Sequence, residues 1–396
     1  MIEIDVIGGV YREWCAFPEW DAIYGSAGRA AIAISSHVKA VRLHTIITPE
    51  SRKRTLPNFE SFGIDVIAQD GTQEIGFDYL HCLSDPIIQP AIPSIENHPP
   101  FEVNAKIAIV YGMMECHPKI SADICIYDPQ SPSNPKGFKE IGGTAKRLAI
   151  LANAREVKNL TGLSGLEGAK ALLVEEDAEV VIIKMGLDGV TVVTKNSEET
   201  IPAYQTNRFF SIGSGDVFAA AFGYAWGGME ENPRDAAEYA SRAVANYLET
   251  SSLPMVSIEE AKVCTREVVS IKGGSVYLAG PFRELGQRVL INEARKILKD
   301  LGMDVFSPVH DIGRGPAEKV VKLDLEALES CDAVLAILNG SSPGTLFEVG
   351  YAVRGNQPVY CVAQNMRNVD LKLPVGSGCI VHNDFVSAMH LLAWRK

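Results

Sequence analysis

The sequence has no excess of positive charge: 37 Lys and Arg stand against 49 Asp and Glu, for a formal net charge of −12. A chain of that sign repels a nucleic-acid backbone, so polymer binding is disfavoured and only a local basic pocket for one phosphate stays open. The eight cysteines are scattered, with no CxxC pair and no Cys/His metal spacing, which argues against a zinc module and fits reduced thiols. No apolar run approaches the length needed to span a bilayer, so no membrane partner is expected. Residues 1–7 show neither the basic region nor the long apolar core of a secretory signal, and a cytoplasmic location is the expectation. Internal repeats and low-complexity tracts are missing. So is Gly-x4-Gly-Lys-Ser/Thr, the signature of a P-loop kinase.

What is present is a chain of 396 residues, longer than one hydrophobic core usually supports, so two domains are expected. A content of 46% hydrophobic and 22% charged residues is that of a globular enzyme rather than a disordered segment. Apolar runs at 4–7, 45–47, 64–67, 107–110, 124–127, 148–151 and 180–183 alternate with helical stretches, which predicts a layered α/β sheet. Short strands between 69 and 94 suggest a small sheet or lid. Helices are predicted at 236–250 and 258–269. Five further strand candidates, at 276–279, 304–306, 333–338, 358–362 and 379–381, predict a small doubly wound parallel sheet. Lys272-Gly273-Gly274 reads as a short link between domains at 1–268 and 275–396.

The densest chemistry lies between Asp324 and Gly350. The apolar run 333–338 reads as a buried strand, broken by Asn339-Gly340-Ser341-Ser342-Pro343-Gly344 before a helix over 345–354. Glu348 then falls in the first turn of a helix at the carboxyl end of a strand, where ligands bind in open α/β sheets and the helix dipole favours an ionised carboxylate. Thr345-x-x-Glu348 is also a capping box, which would need no substrate.

The series Tyr277-Leu278-Ala279-Gly280-Pro281-Phe282-Arg283, Asp324, Cys331-Asp332-Ala333-Val334 and Gly344-Thr345-x-x-Glu348-x-Gly350-Tyr351-Ala352 resembles the nucleoside 2-deoxyribosyltransferase family and its nucleotide N-hydrolase relatives, over nearly all of 275–365. The resemblance implies that Glu348 attacks the anomeric carbon of a (deoxy)ribosyl group, and that Asp324 helps to protonate the base or position the sugar. It implies no cofactor for this domain, and a homo-oligomer, dimeric or larger. The demands are those of a retaining glycosidase: one carboxylate to trap an oxocarbenium-like centre, one acid for the leaving group. Without the resemblance, Asp324 reads as an exposed helix position. Ser342 stands where the transferases carry an acidic residue and the nucleotide hydrolases a serine. A hydroxyl and loop amides can donate to a 5′-phosphate that a carboxylate would repel. With Gly280, Gly344 and Arg283, this points to a phosphorylated substrate, although Arg283 also reads as an ordinary surface arginine.

In the first half, Gly213-Ser214-Gly215-Asp216 precedes the apolar helix 217–222. Glycines at a helix start leave bare amide donors that suit a phosphoryl group in flight, and Asp216 is placed to accept a hydroxyl proton. The plainer reading is a glycine turn with Asp216 as the helix cap. Together with Asn153-x-x-Glu156 and Lys184-Met185-Gly186-x-x-Gly189, the motif resembles the ribokinase-like (PfkB) family of sugar and nucleoside kinases over roughly residues 1–265. That resemblance implies a ribokinase-like fold, with ATP and Mg²⁺ as cofactors. It makes Gly213, Ser214 and Gly215 the anion hole and Asp216 the base. Asn153 and Glu156 would organise Mg²⁺ and phosphate through water, and Lys184 and Gly186 would lie beside the nucleotide. Departures fall on the acceptor side. Phe210-Ser211 replaces Asp-Thr, and Gly25-Ser26-Ala27-Gly28-Arg29-Ala30 stands for Gly-Gly-x-x-x-Asn. Glu13 replaces the aspartate that binds acceptor hydroxyls, and could still accept two of them.

The fusion is expected to work in series: 5′-phosphorylation of a nucleoside, then cleavage of the N-glycosidic bond of its monophosphate. The alternatives are an N-glycosidase or deoxyribosyltransferase with a regulatory, inactive kinase-like domain, and a module that only binds nucleotides.

Overall fold

The computed structural model describes residues 2–132, 134–271 and 273–394; Lys272 of the expected link lies outside them. The chain divides into two compact units, Met1–Thr206 with Phe210–Val269, and Asn207–Phe209 with Ser270–Lys396.

The first unit is built on a nine-stranded sheet. Its order is Glu198–Ile201, Val190–Thr194, Val180–Lys184, Thr144–Asn153, Lys119–Asp128, Glu102–Tyr111, Glu3–Ile7, Ala40–Ile47 and Ile64–Asp70. The last seven run parallel, and the first two close one edge antiparallel. Successive side chains of a strand point to opposite faces, and both faces here are covered. Ile107 and Ile109 enter one core with helices Gly25–Ile34 and Ser214–Phe222, while Ala108 and Val110 enter the other with Val157 and Leu172. The strands therefore read as near-continuous apolar runs. Asp128, Asn153 and Lys184 are the final residues of three adjacent parallel strands, so topology alone gathers them on the carboxyl edge of the sheet.

Two expectations are revised. The small sheet is four-stranded, in the order Trp20–Ile23, Arg12–Phe17, Gly76–His81 and Ile87–Gln89, so it recruits residues 12–23 as well as the 69–94 stretch. The helix expected over 258–269 stops at Val263. A Ser257/Glu260 capping box starts it, but Cys264 turns extended at ψ 107° and Val268 pairs with Tyr204, as its β-branched side chain favours.

The second unit is a five-stranded, all-parallel sheet in the order Asp304–Phe306, Ser275–Ala279, Ala333–Ile337, Val359–Val362 and Ile380–His382. The chain leaves Ser275–Ala279 for one side of the sheet and returns to the other, so the order reverses between Ser275–Ala279 and Ala333–Ile337. A ligand crevice is expected at the carboxyl ends of two such strands. Helices Leu285–Asp300, Ala317–Ser330 and Pro343–Arg354 connect the strands.

Candidate functional sites in the two units

In the second unit the helix bearing Glu348 starts earlier than expected, at Pro343. Ser342 is its N-cap residue and makes no side-chain capping bond. Thr345 and Glu348 thus form no capping box. Instead the hydroxyl of Tyr277, on the neighbouring strand, donates to Glu348 Oε1 at 2.8 Å. Tyr277 is fully buried, with its ring stacked on Phe306 at 5.7 Å and 20°. Burial raises the Glu348 carboxyl to about 7; the Tyr277 hydrogen bond opposes that rise and the negative charge of Asp324 adds to it. Asp324, half-buried on Ala317–Ser330, is raised by burial too, and its Oδ1 is buried with no hydrogen-bond partner. Two carboxyls that resist ionisation therefore share one low-dielectric site with a phenol donor.

The residues expected around phosphate are placed as follows. Ser342 is half-buried, its Oγ 3.9 Å from where a Cβ on Gly344 would stand, and Gly344 itself is exposed. Gly280 is buried: a Cβ there would sit 3.0 Å from Ile291 Cδ1 and 3.3 Å from Ile337 Cβ, so this glycine lets the strand end pack closely. Arg283 is exposed in the turn before Leu285–Asp300.

In the first unit, helix Ser214–Phe222 is capped by Gly213 in the left-handed region at φ 78°, and Asp216 is not the cap. Asp216 is 5% exposed and both its oxygens are engaged: Oδ1 accepts from Gln130 Nε2 at 2.8 Å, Oδ2 from Arg29 Nη1 at 2.9 Å. Arg29, at 0% exposure, also donates through both Nη groups to the two oxygens of Glu13, and through Nε to the Tyr247 hydroxyl at 3.0 Å. Burial works against the guanidinium charge, but Glu13, Tyr247 and Asp216 more than offset it and hold the group well above the usual arginine range. Glu13 is thus not a bare carboxylate waiting for two hydroxyls.

Next to this network, Lys184 Nζ donates to Asp128 at 2.5 Å and lies 3.8 Å from where a Cβ on Gly215 would stand. Burial pushes the Asp128 carboxyl up against the pull of Lys184, and its Oδ1 has no hydrogen-bond partner. Asn153 and Glu156 form a reciprocal capping box: Asn153 Oδ1 accepts from the Glu156 amide at 2.9 Å, and Glu156 Oε2 from the Asn153 amide at 2.8 Å. Gly186, at φ 61°, opens a short 3-10 turn after the Lys184 strand. Glu13, Gly213, Gly215, Asp216 and Glu156 line one cavity of about 650 Å³.

Sequence reasoning missed the roles of Tyr277, Arg29, Gln130 and Asp128. Arg29 carried a signal: an arginine inside the small apolar helix Gly25–Ile34 must be buried, and a buried arginine needs carboxylate partners.

Comparison with known proteins supplies the class. Residues 276–388 match the family model for nucleoside 2-deoxyribosyltransferase, and residues 109–253 that for pfkB family carbohydrate kinase. Two family models thus match successive parts of one chain, a pfkB-like region followed by a nucleoside deoxyribosyltransferase-like region, which is the pattern of a fusion. Among solved structures, it is similar to a ribokinase from Thermotoga maritima, at 19% identity, 66% of this chain, 98% of the other and a TM-score of 0.46. It is also similar to a Vibrio cholerae fructokinase bound to fructose, ADP and calcium, at 12% identity, 65% and 95% coverage and a TM-score of 0.48. A pyrophosphate-dependent kinase of the ribokinase family, complexed with a pyrophosphate analog and myo-inositol, aligns at 17% identity, 66% and 100% coverage and a TM-score of 0.46. No curated protein matches the chain. No described helix is long and apolar enough to cross a membrane.

Proposed function

We propose that the chain is a bifunctional nucleoside-processing enzyme with domains at 1–268 and 275–396. The first phosphorylates the 5′-hydroxyl of a nucleoside at the expense of ATP. The second cleaves the N-glycosidic bond of the resulting (deoxy)nucleoside 5′-monophosphate, releasing base and (deoxy)ribose 5-phosphate. The observation that carries this reading is the Glu348 carboxylate, held by Tyr277 beside Asp324 at the switch point of the second sheet.

In the second unit, ionised Glu348 attacks C1′ as the bond from C1′ to the base nitrogen breaks; protonated Asp324 gives its proton to that nitrogen. Water then adds at C1′, giving its proton to the Asp324 carboxylate as the ester bond to Glu348 breaks, so both carboxyls return to their starting states. Ser342 and the amides at Gly344 receive the 5′-phosphate, and Arg283 supplies the cation. The Tyr277 hydroxyl holds Glu348 in register, and favours its ionised form.

In the first unit, the Gly213–Gly215 amides donate to the transferred phosphoryl group, Lys184 lends its positive charge near Gly215, and Asp216 accepts the proton of the attacking hydroxyl. The chain's own groups fit a hydrated Mg²⁺: Asp128 carries a buried oxygen with no partner, and Glu156 lines the cavity. When bound, Mg²⁺ would offset phosphate charge, with Glu156 and Asp128 reaching it through water. Asn153 orients Glu156, and Gly186 shapes the turn beside the nucleotide.

The hold of Arg29 on Asp216 favours one other reading: the first unit binds a ligand without phosphorylating it and regulates the glycosidase. Purified protein is incubated with nucleoside 5′-monophosphates and liberated base is read by mass spectrometry. Wild type should release base and Glu348→Ala should not; equal release by both would remove Glu348 from the chemistry. Asp216→Asn then separates the two readings of the first unit, since it abolishes nucleoside phosphorylation only if Asp216 is the base.

A further inference from the structure

The acceptor side of the first unit is built unlike a sugar site. A carboxylate chelates a vicinal diol through the same in-plane lone pairs that a bidentate guanidinium occupies. In Glu13 those positions are taken by the two Nη groups of Arg29. Arg29 is in no position to step aside: it is fully buried, bonded to Asp216 and Tyr247, and pressed on Gly213, where a Cβ would fall 2.1 Å from its Nε. On the other polar flank, the Ser26 hydroxyl donates to Gln130 Oε1 at 2.5 Å while Gln130 donates to Asp216, so these groups already satisfy one another.

Asp85, Ser131 and Arg155 also line this cavity, and one wall of it is aromatic. Tyr11 and Phe77 lie 5.5 Å apart, and Phe77 and Tyr79 stack at 6.5 Å and 18°. The Tyr11 hydroxyl is turned to Glu115 at 2.5 Å, and Ile88 and Met114 extend the apolar lining of the same cavity. Such a shelf suits the π-face of a nucleobase and offers no hydrogen-bond partners to the hydroxyls of a hexose laid against it.

We infer that the first unit recognises its acceptor through the base rather than the sugar diol, so that it takes ribonucleosides and 2′-deoxyribonucleosides alike and excludes free sugars. This rests on the phosphoryl-transfer reading above, and names the acceptor class for that same site.

The test uses the full chain, with adenosine, 2′-deoxyadenosine, cytidine, 2′-deoxycytidine, ribose and fructose. Both ATP-dependent phosphorylation and calorimetric binding without ATP are measured. The ribo and deoxy forms of each base should agree in kcat/KM within about threefold, whereas a site built to bond the 2′-hydroxyl discriminates by roughly 10⁴. A preference above about tenfold for either sugar, or free sugars used as well as nucleosides, overturns the inference and leaves phosphoryl transfer standing. If nothing is phosphorylated, the kinase reading fails and the calorimetric panel alone decides by the same ratios; no nucleoside binding at all overturns the inference. Phe77→Ala should weaken ribo and deoxy forms equally, by about tenfold, as loss of one stacking face does. Unchanged nucleoside affinity in that variant counts against the aromatic shelf.

Discussion

The Tyr277 hydroxyl donates a 2.8 Å hydrogen bond to Glu348 Oε1 across 71 residues of sequence, from the strand Ser275–Ala279 to the helix Pro343–Arg354. It favours the ionised form of a carboxyl that burial and Asp324 both push the other way. Tyr277→Phe should therefore raise the Glu348 pKa further and move the rising limb of base release to higher pH. At pH 7 a loss of about tenfold in kcat/KM is expected, in line with one hydrogen bond to a charged group. A pH–rate profile of the variant checks this, and an unshifted limb would separate Tyr277 from the ionisation of Glu348.

Base release by wild type should follow a bell-shaped pH profile, rising as Glu348, whose carboxyl stands at about 7, becomes ionised and falling as Asp324 loses the proton it gives to the base. Measured kcat/KM that is flat from pH 5 to 8 would contradict the assignment.

Burying this carboxyl also leaves a mark on stability. The folded pKa of Glu348, about 7, lies above its ordinary 4.5, so its protonated form is the one the fold favours and stability is lost as pH rises between those values. Glu348→Gln should match wild type near pH 4. Above pH 7 it should be more stable by up to about 3 kcal/mol, since a tenfold change in a proton-binding constant corresponds to about 1.4 kcal/mol. Denaturant unfolding of the two proteins at both pH values measures the difference.

Arg29→Leu leaves Glu13 and Asp216 as buried carboxylates without their cation, a loss of about 3–5 kcal/mol and a large share of the stability of a single domain. Differential scanning calorimetry should show the melting of the first unit displaced downward. Gly213→Ala should act in the same direction, because its Cβ would fall on the guanidinium in a backbone conformation that alanine avoids. A variant as stable as wild type at either position would mean that the buried network rearranges freely.

Much of this architecture was readable in the sequence for a physical reason. Parallel strands covered on both faces are continuous apolar runs, so the five strands of the second sheet and the seven parallel strands of the first stood out. The strands Arg12–Phe17, Trp20–Ile23 and Glu198–Ile201 are short and mix polar with apolar residues, and they did not. The helix that carries Glu348 was expected because it depends on local order alone, a strand end followed by a helix start, but it begins at Pro343 and so sets Glu348 past its first turn. Its partner Tyr277 depends on which strands lie side by side, and a one-dimensional pattern does not carry that. The fates of Glu13 and Asp216 likewise turn on Arg29, which reaches them from a separate helix. Each carboxylate was recognised, but the cation between them was not.

The most direct test of two chemistries in series follows free base by mass spectrometry from one nucleoside and its 5′-monophosphate, each with and without ATP and Mg²⁺. The monophosphate should yield base in either condition, and the nucleoside only when ATP and Mg²⁺ are present. Release from the nucleoside at the same rate without ATP would contradict the coupling of the two units.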